Sequence, residues 1–352
     1  MLGFGSTPQP PLTAYPDSVT KWPELAREIA DTVLFPVADS VDADGEIPSS
    51  HFDALAADGF YGIAALGDGG PGSEELVEVL ETLCGGCLAT TFTWMQHHGV
   101  VGALAASTNT SLREQYWDGL VSGTIRGGVA YAGAIPRPPL LWAKRVNDGY
   151  VLDGIAPFVT GWGIVDVLLV SARDEFDNSI VHSVVPVGEA PGLTIEELPL
   201  IAARGSNTVR IVFDAFEIPD TDVCAVVSDE QFQSTQLPGL WLNGAMAMGI
   251  TRRAVTELAD LGVDTDAFEE QATRARADLD AALRDGGDMS AARARASELA
   301  IRASAALVTA TGSRALVGSN TPERLMREAT FTLVAAGRPE IKTALVERLT
   351  GY

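Results

Sequence analysis

Three groups of residues have types and spacing that could do chemistry. The first is Cys84-Gly-Gly-Cys87. A C-x-x-C can bind zinc or exchange disulfides, but zinc needs a second ligand pair, and redox chemistry of the thioredoxin type needs a βαβ setting. The chain has three cysteines, so the second pair is missing, and the surrounding pattern is helical. Small residues packed where one helix ends and the next begins is therefore the expectation here. The second group is His97-His98, which follows Trp94 and Met95 on an apolar helical stretch. Adjacent histidines point in different directions on a helix, so they cannot chelate one metal as an i, i+4 pair does. One lines a cavity, and the other packs or faces solvent. The third is Gly154-Ile-Ala-Pro-Phe-Val-Thr-Gly-Trp162, which precedes the strand-like Asp166-Val-Leu-Leu-Val-Ser-Ala172. It brings an aromatic, a hydroxyl and a second aromatic close together at a strand turn. As plain structure, that would be a barrel corner with packed aromatics.

These groups must be positioned by elements of three kinds. Residues 20–123 carry mainly helical spacing. Trp22, Leu25, Ile29, Val33 and Leu34 form an i, i+3, i+4 stripe that Pro36 is expected to limit, and further helices fall at residues 52–59, 74–83, 88–106 and 111–120. The middle reads as short β-rich runs at residues 150–154, 165–172, 180–187 and 209–213, separated by Gly, Pro, Asn and Asp. Asn147-Asp148-Gly149 is a hairpin signal, and the runs together suggest a small antiparallel barrel or sandwich over residues 124–227. The remainder returns to helix at residues 240–261, 266–285, 289–316 and 338–349. Gly286-Gly287-Asp288 makes a helix–helix turn of the antiparallel-bundle kind. The domain reading is 1–123, 124–228 and 229–352.

Composition narrows the function. Lys+Arg is 24 against Asp+Glu 47, a formal charge of -23, which repels nucleic acid and anionic membranes. No apolar window approaches the ~20 residues a bilayer needs, and residues 1–16 lack a basic start and an apolar run. A soluble, cytoplasmic protein with no nucleic acid, membrane or metal partner is expected. There is no G-x-G-x-x-G between a strand and a helix, no P-loop, no Gly-x-Ser-x-Gly elbow and no zinc-protease helix. Any dinucleotide must be held in some other way.

Taken together, the segments resemble the acyl-CoA dehydrogenase family over residues 20–349. The anchors are Asp148-Gly-Tyr-Val-Leu-Asp-Gly154, Phe158-Val-Thr-Gly161, Pro191-Gly-Leu193, Ala203-Arg-Gly-Ser-Asn-Thr208, Ile218-Pro219 and Thr321-Pro-Glu-Arg-Leu-Met-Arg-Glu-Ala329. The resemblance implies an α+β fold with a helical N-terminal domain, a central antiparallel β-domain and a C-terminal four-helix bundle. It also implies FAD between the β-domain and the bundle, an acyl-CoA substrate, and a homodimer or homotetramer or a hetero-oligomer with a related subunit. Phe158 and Thr160 match the family's aromatic and hydroxyl residues at the flavin. Tyr131 and Ala132 fall where its first β-strand passes the ring, and Gly312, Ser313 and Arg314 match its Gly-rich turn at the dinucleotide. Trp94, His97 and Trp241 are the expected substrate-pocket residues. The departures are as specific. Ala132-Gly-Ala-Ile-Pro-Arg-Pro-Pro139 is shorter than the family's stretch there, and residues 261–270 lack its Arg-x-x-Phe-Gly segment. The usual proton-abstracting Glu is matched by Ala336, and the position used by some members on the first bundle helix is matched by Gly239. The resemblance thus implies a flavin-dependent oxidoreductase without the usual base. A flavin monooxygenase of the same fold, or a catalytically silent subunit, is the alternative.

Overall fold

The computed structural model describes residues 22–67 and 70–351. The segment at residues 1–16, read above for targeting signals, lies outside the described residues. The chain begins with α1 (Trp22–Ile29), α2 (Ala38–Asp44), α3 (Ser49–Ala57), α4 (Ser73–Gly86), α5 (Leu88–Ala106) and α6 (Thr110–Ser122). Strands follow as β1 (Gly127–Ala130), β2 (Leu141–Val146), β3 (Gly149–Val159), β4 (Val167–Asp174), β5 (Ile180–Pro186), β6 (Leu193–Glu197), β7 (Val209–Pro219) and β8 (Val223–Val227). Helices α7 (Asp229–Ser234), α8 (Gln236–Asp260), α9 (Asp266–Arg284), α10 (Met289–Thr311), α11 (Thr321–Thr332) and α12 (Pro339–Thr350) complete it.

Pro36 does not stop the first helix. A π-helical turn at Ala30–Leu34 and a 3-10 turn at Phe35–Val37 carry the chain past it into α2. Pro36 is the second residue of that 3-10 turn, and proline is tolerated within a first turn because its missing N–H is one of the donors a helix start leaves without an intrahelical partner. Later helix starts are fixed by side chains. Asn109 caps α6 through Leu112 N, Asp288 caps α10 through Ser290 N and Ala291 N, and Asn320 caps α11 through Glu323 N.

The sheet runs β6-β7-β3-β2-β4-β5-β8, with β1 beside β4. Asn147 and Asp148 form the two-residue turn between β2 and β3, where Val146 pairs Gly149. The antiparallel expectation needs correcting in two places: β1 and β2 both pair β4 in parallel, so the sheet is mixed. β1 arrives directly from the helical segment and lies along the buried strand β4, a non-local pairing that leaves no periodic trace in the sequence. Every residue of β4 is buried, as in a strand covered on both faces.

Two cores result. One, within the sheet, contains Leu152, Ala156, Val159, Leu168 and Val170. The other is shared by the first and last helical segments, where Phe52, Leu83 and Trp94 pack with Met246, Met248, Leu279 and Leu299. A third seam, Val100, Val101 and Leu104 against Val167, Leu169 and Val184, fastens α5 to the sheet. The C-x-x-C sits in the helical core as the packing reading expects: Cys84 and Cys87 are free and buried where α4 meets α5. α4 and α8 touch backbone to backbone there. A Cβ on Gly249 would stand 2.4 Å from Glu81 O. Gly249→Ala should therefore destabilise by ~1–3 kcal/mol in urea unfolding, because overpacking outweighs the ~1 kcal/mol helix propensity that alanine adds. A more stable variant would show that the two helices do not approach so closely.

Candidate functional site

Helix α5 brings Trp94, His97 and His98 to the seam with the sheet. His97 is 1% exposed, and its Nδ1 accepts a hydrogen bond from Gly127 N at 2.9 Å, the first residue of β1. Its ring stands edge-on to Tyr61, 4.7 Å between centroids. Burial pushes its pKa down to about 4, so the ring is neutral at pH 7. With Nδ1 accepting, the proton sits on Nε2, which has no hydrogen-bond partner among the described residues. Burial, reinforced by His97, also lowers His98, whose two ring nitrogens are unpartnered. Trp94 is 2% exposed and packs edge-on against Phe60 and His98. Phe52, Tyr61, Trp94, His97, Arg126 and Ile164 surround a narrow space of about 170 Å³ here, with no room for a water-sized sphere.

Trp241 lies elsewhere. It is 5% exposed on α8, and its Nε1 donates to Asp280 of α9 at 2.8 Å. Arg276 stands over its ring and also pairs with the buried Glu81, which Arg252 holds from α8. Trp241 is thus built into a brace between α8 and α9. Trp94 and His97 are brought together on α5, and Trp241 does not join them in that space.

At the end of β3, Phe158 is 60% exposed, whereas Val159 and Thr160 beside it are buried. The hydroxyls of Thr160, Thr208 and Ser206 form a chain, 3.1 Å and then 2.9 Å. Asn207, in left-handed conformation, donates from Nδ2 to Trp162 O at 2.6 Å and holds the two loops together. The sequence singles out Phe158 and Thr160; the structure adds Thr208 and Ser206 as the hydroxyl partners of Thr160, and both lie in the quoted Ala203–Thr208 stretch.

Tyr131 and Ala132 follow β1 in a turn. Tyr131 is half-buried, its hydroxyl pKa is raised by burial, and its ring stands edge-on to His182. Gly99 admits it to α5: a Cβ there would stand 3.1 Å from the Tyr131 hydroxyl. The short loop after Tyr131 is clamped from behind. Arg173, fully buried on β4, donates to Ala134 O at 3.0 Å and pairs with Asp229, which also holds Arg137.

The bundle contributes two turns. Gly312, Ser313 and Arg314 are exposed at the end of α10, and nothing lies within 4 Å of a Cβ placed on Gly312. Arg314 has no carboxylate within 4.0 Å among the described residues. Between α11 and α12, Ala336 is exposed with φ 46°. The carbonyls of Ala335 and Ala336 accept hydrogen bonds from Arg293, a buried residue of α10 that sequence reasoning did not single out. Its helical phase, shared with Ser297, Ala300 and Ser304, is the signal that would have placed it on the buried face. Gly239, in the first turn of α8, has nothing within 4 Å of a Cβ position.

A cavity of about 280 Å³ opens away from all of these, between α9, α10 and α12, lined by Arg274, Arg295, Arg302 and Arg348. Each of these guanidiniums is already paired, with Glu270, Asp278 or Glu298, so the cleft is a solvated ion-pair network. Among the described residues there is no cluster of three or more His, Cys, Asp or Glu that could hold a metal ion. None of the described helices is long and apolar enough to cross a membrane.

Comparison with known proteins agrees with the architecture. The fold matches butyryl-CoA dehydrogenase from Megasphaera elsdenii with a TM-score of 0.79 at 20% identity, covering 96% of this chain and 100% of that one. It also matches glutaryl-CoA dehydrogenase from Mycobacterium smegmatis, solved in complex with FADH2, with a TM-score of 0.76 at 17% identity, covering 94% of each chain. By sequence the chain is 25% identical over 248 residues to an NADH-dependent acryloyl-CoA reductase of Anaerotignum propionicum, covering 66% of this chain and 62% of that protein. That match spans less than two thirds of the relative's length. The model of the acyl-CoA dehydrogenase N-terminal domain matches residues 19–124, and that of the C-terminal domain matches residues 243–350. With both helical domains matched and the mixed sheet between them, the chain belongs to the acyl-CoA dehydrogenase family.

Proposed function

We propose that the chain is a flavin-dependent oxidoreductase that holds FAD against Phe158 and acts on an acyl thioester or a related small organic molecule. The observation that carries this is the uncovered Phe158 ring, 60% exposed beside the buried Val159 and Thr160. The residues present fit the group. Phe158 offers a flat apolar face for a planar ring. Thr160 has hydroxyl capacity beyond its bond to Thr208 and can meet a polar ring edge. Gly312 leaves open space for close approach, and the unpaired Arg314 suits a pyrophosphate. When bound, FAD would supply two-electron redox chemistry. The chain's own contribution is orientation: the hydroxyl chain fixes the β3 end, and the Arg173–Asp229 clamp keeps the Tyr131 loop in place.

Neither Ala336 nor Gly239 offers a carboxylate, so the chain supplies no proton acceptor at either position. General-base assistance is worth about 10²–10⁴-fold, so slow α,β-dehydrogenation by this chain alone follows. The missing carboxylate also favours a second reading, a subunit that completes the site of a partner chain in a hetero-oligomer. Either way an assembly is proposed, a homodimer or homotetramer in the first case. Purifying the protein alone and recording its absorption spectrum separates the two. Bound flavin that bleaches anaerobically with an acyl-CoA supports the enzyme, whereas a colourless protein that takes up no added FAD removes it. Phe158→Ala should weaken FAD binding about tenfold or more, read by fluorescence titration. Unchanged affinity would discard the placement.

A further inference from the structure

We propose that Phe92 and Phe331 close the far end of the acyl site and confine the substrate to a short, uncharged acyl group, a reading that rests on the function proposed above. Helix α5 is buried along most of its length, but one stripe is not. Phe92, Met95, Gln96 and Gly99 fall at i, i+3, i+4 and i+7 and are all half-buried, whereas Thr93, Trp94, His97 and Val100 are enclosed. One face of the helix is therefore only partly covered by the rest of the chain.

The stripe has a start and an end. At Gly99 it passes beneath the Tyr131 hydroxyl, in the turn after β1 where the flavin is expected. At Phe92 it meets the ring of Phe331 from α11, edge-on, with 5.0 Å between centroids and 72° between planes. Phe331 is also half-buried, in the last turn of α11 ahead of Ala336. Gly99 and Phe92 are seven residues apart, about 10 Å along the helix axis. A hydrocarbon chain that starts beside Tyr131 and follows α5 runs into the two crossed rings within that distance. The rings are held in place, because Arg324 pins α11 to Asp39 of α2 and close packing leaves α5 little freedom. The lining is also chemically uniform. Met95 is apolar and adaptable. Gln96 turns its amide back on its own helix, Nε2 donating to Phe92 O at 3.1 Å. No charged side chain lies on the stripe, so a second carboxylate on the acyl group would be buried there without a partner.

The test reads binding rather than turnover. Protein loaded with FAD is titrated calorimetrically with butanoyl-CoA, decanoyl-CoA and succinyl-CoA. Butanoyl-CoA is expected to bind at least about tenfold more tightly than either of the others. Phe92→Ala should raise the affinity for decanoyl-CoA relative to butanoyl-CoA about tenfold or more, because the added methylenes then find apolar surface. Phe331→Ala should move the same ratio in the same direction, and it carries the test if Phe92→Ala does not fold. Equal affinity for the two chain lengths in wild type, or a ratio unchanged in a folded variant, overturns the closed end and leaves the thioester function standing. Succinyl-CoA bound as tightly as butanoyl-CoA overturns the restriction to uncharged groups. Binding of none of the three removes the thioester reading and the closed end with it.

Discussion

Replacing Glu328 by alanine is expected to cost about 3–5 kcal/mol of stability, the range found when one member of a buried ion pair is removed. Arg324 and Glu328 lie one helical turn apart on α11, 1% and 3% exposed at the side chain, and meet through two contacts of 3.1 Å. Asp39 adds a bond to Arg324 Nε at 2.7 Å, and Arg327 reaches Asp42, so α11 is tied to α2 across the shared helical core. Burial raises the Glu328 pKa while the Arg324 guanidinium opposes that rise. In Glu328→Ala the Arg324 charge stays buried with only Asp39, itself 38% exposed, to offset it. Removing both partners is a different experiment. Arg324→Met with Glu328→Leu leaves no orphaned charge and should recover most of the loss. By contrast, breaking the Arg274–Glu270 pair, 61% and 68% exposed, should cost under about 1 kcal/mol. Chemical denaturation of the three variants checks the ordering, and a Glu328→Ala loss no larger than the exposed pair's would refute the buried network. Because α11 leads directly into the turn carrying Ala336, the same network fixes where that turn sits.

The parts of this architecture that were readable from sequence are those with a local physical cause. The stripe from Trp22, the Asn147-Asp148 hairpin, the alternating charges of α9 and the Gly286-Gly287 turn each declare themselves within a few residues. Pairings between distant strands do not. Nothing in Gly127–Ala130 announces that it lies parallel to Val167–Val170, and β7 runs to Pro219 because Asp153 accepts the Ala215 N–H at a bulge with φ 50°. The site divides the same way. Phe158 and Thr160 are named from sequence because an aromatic and a hydroxyl two apart stand in a stretch that resembles the family's. Arg293 is not, because a single arginine in an Ala-rich helix shows its burial only through helical phase, and its missing partner only through the folded neighbourhood. The residue types Trp94, His97 and Trp241 were equally visible, but Trp241's brace to Asp280 and His97's bond to β1 depend on helices docking far from them in sequence.

That bond makes His97 the source of a large acid effect. All four histidines, His51, His97, His98 and His182, have pKa values lowered by burial. For His97 the folded value is about 4 against 6.5 for the free group. The sign follows from proton counting. Between pH 6.5 and 4 the unfolded chain binds a proton that the folded chain refuses, so stability falls as pH drops and levels off below the folded pKa. For His97 the loss is about 3 kcal/mol at full extent. Two buried carboxylates act in the opposite sense: burial raises Glu81 and Glu328, which take up protons in the folded state first. The His97 share is therefore read as a difference. Asn in its place keeps an oxygen able to accept from Gly127 N and does not titrate. Wild type should exceed His97→Asn in stability at pH 7, and that advantage should shrink by about 3 kcal/mol on going to pH 4. Since the bond joins α5 to β1, protonation removes the acceptor at the seam between helices and sheet, and acid should loosen that seam. Protection of the Gly127 amide against exchange, relative to its intrinsic rate, that drops with falling pH in wild type but not in His97→Asn would locate the loss there. A stability difference that stays constant with pH would mean that the ring takes its proton as readily in the fold as in water.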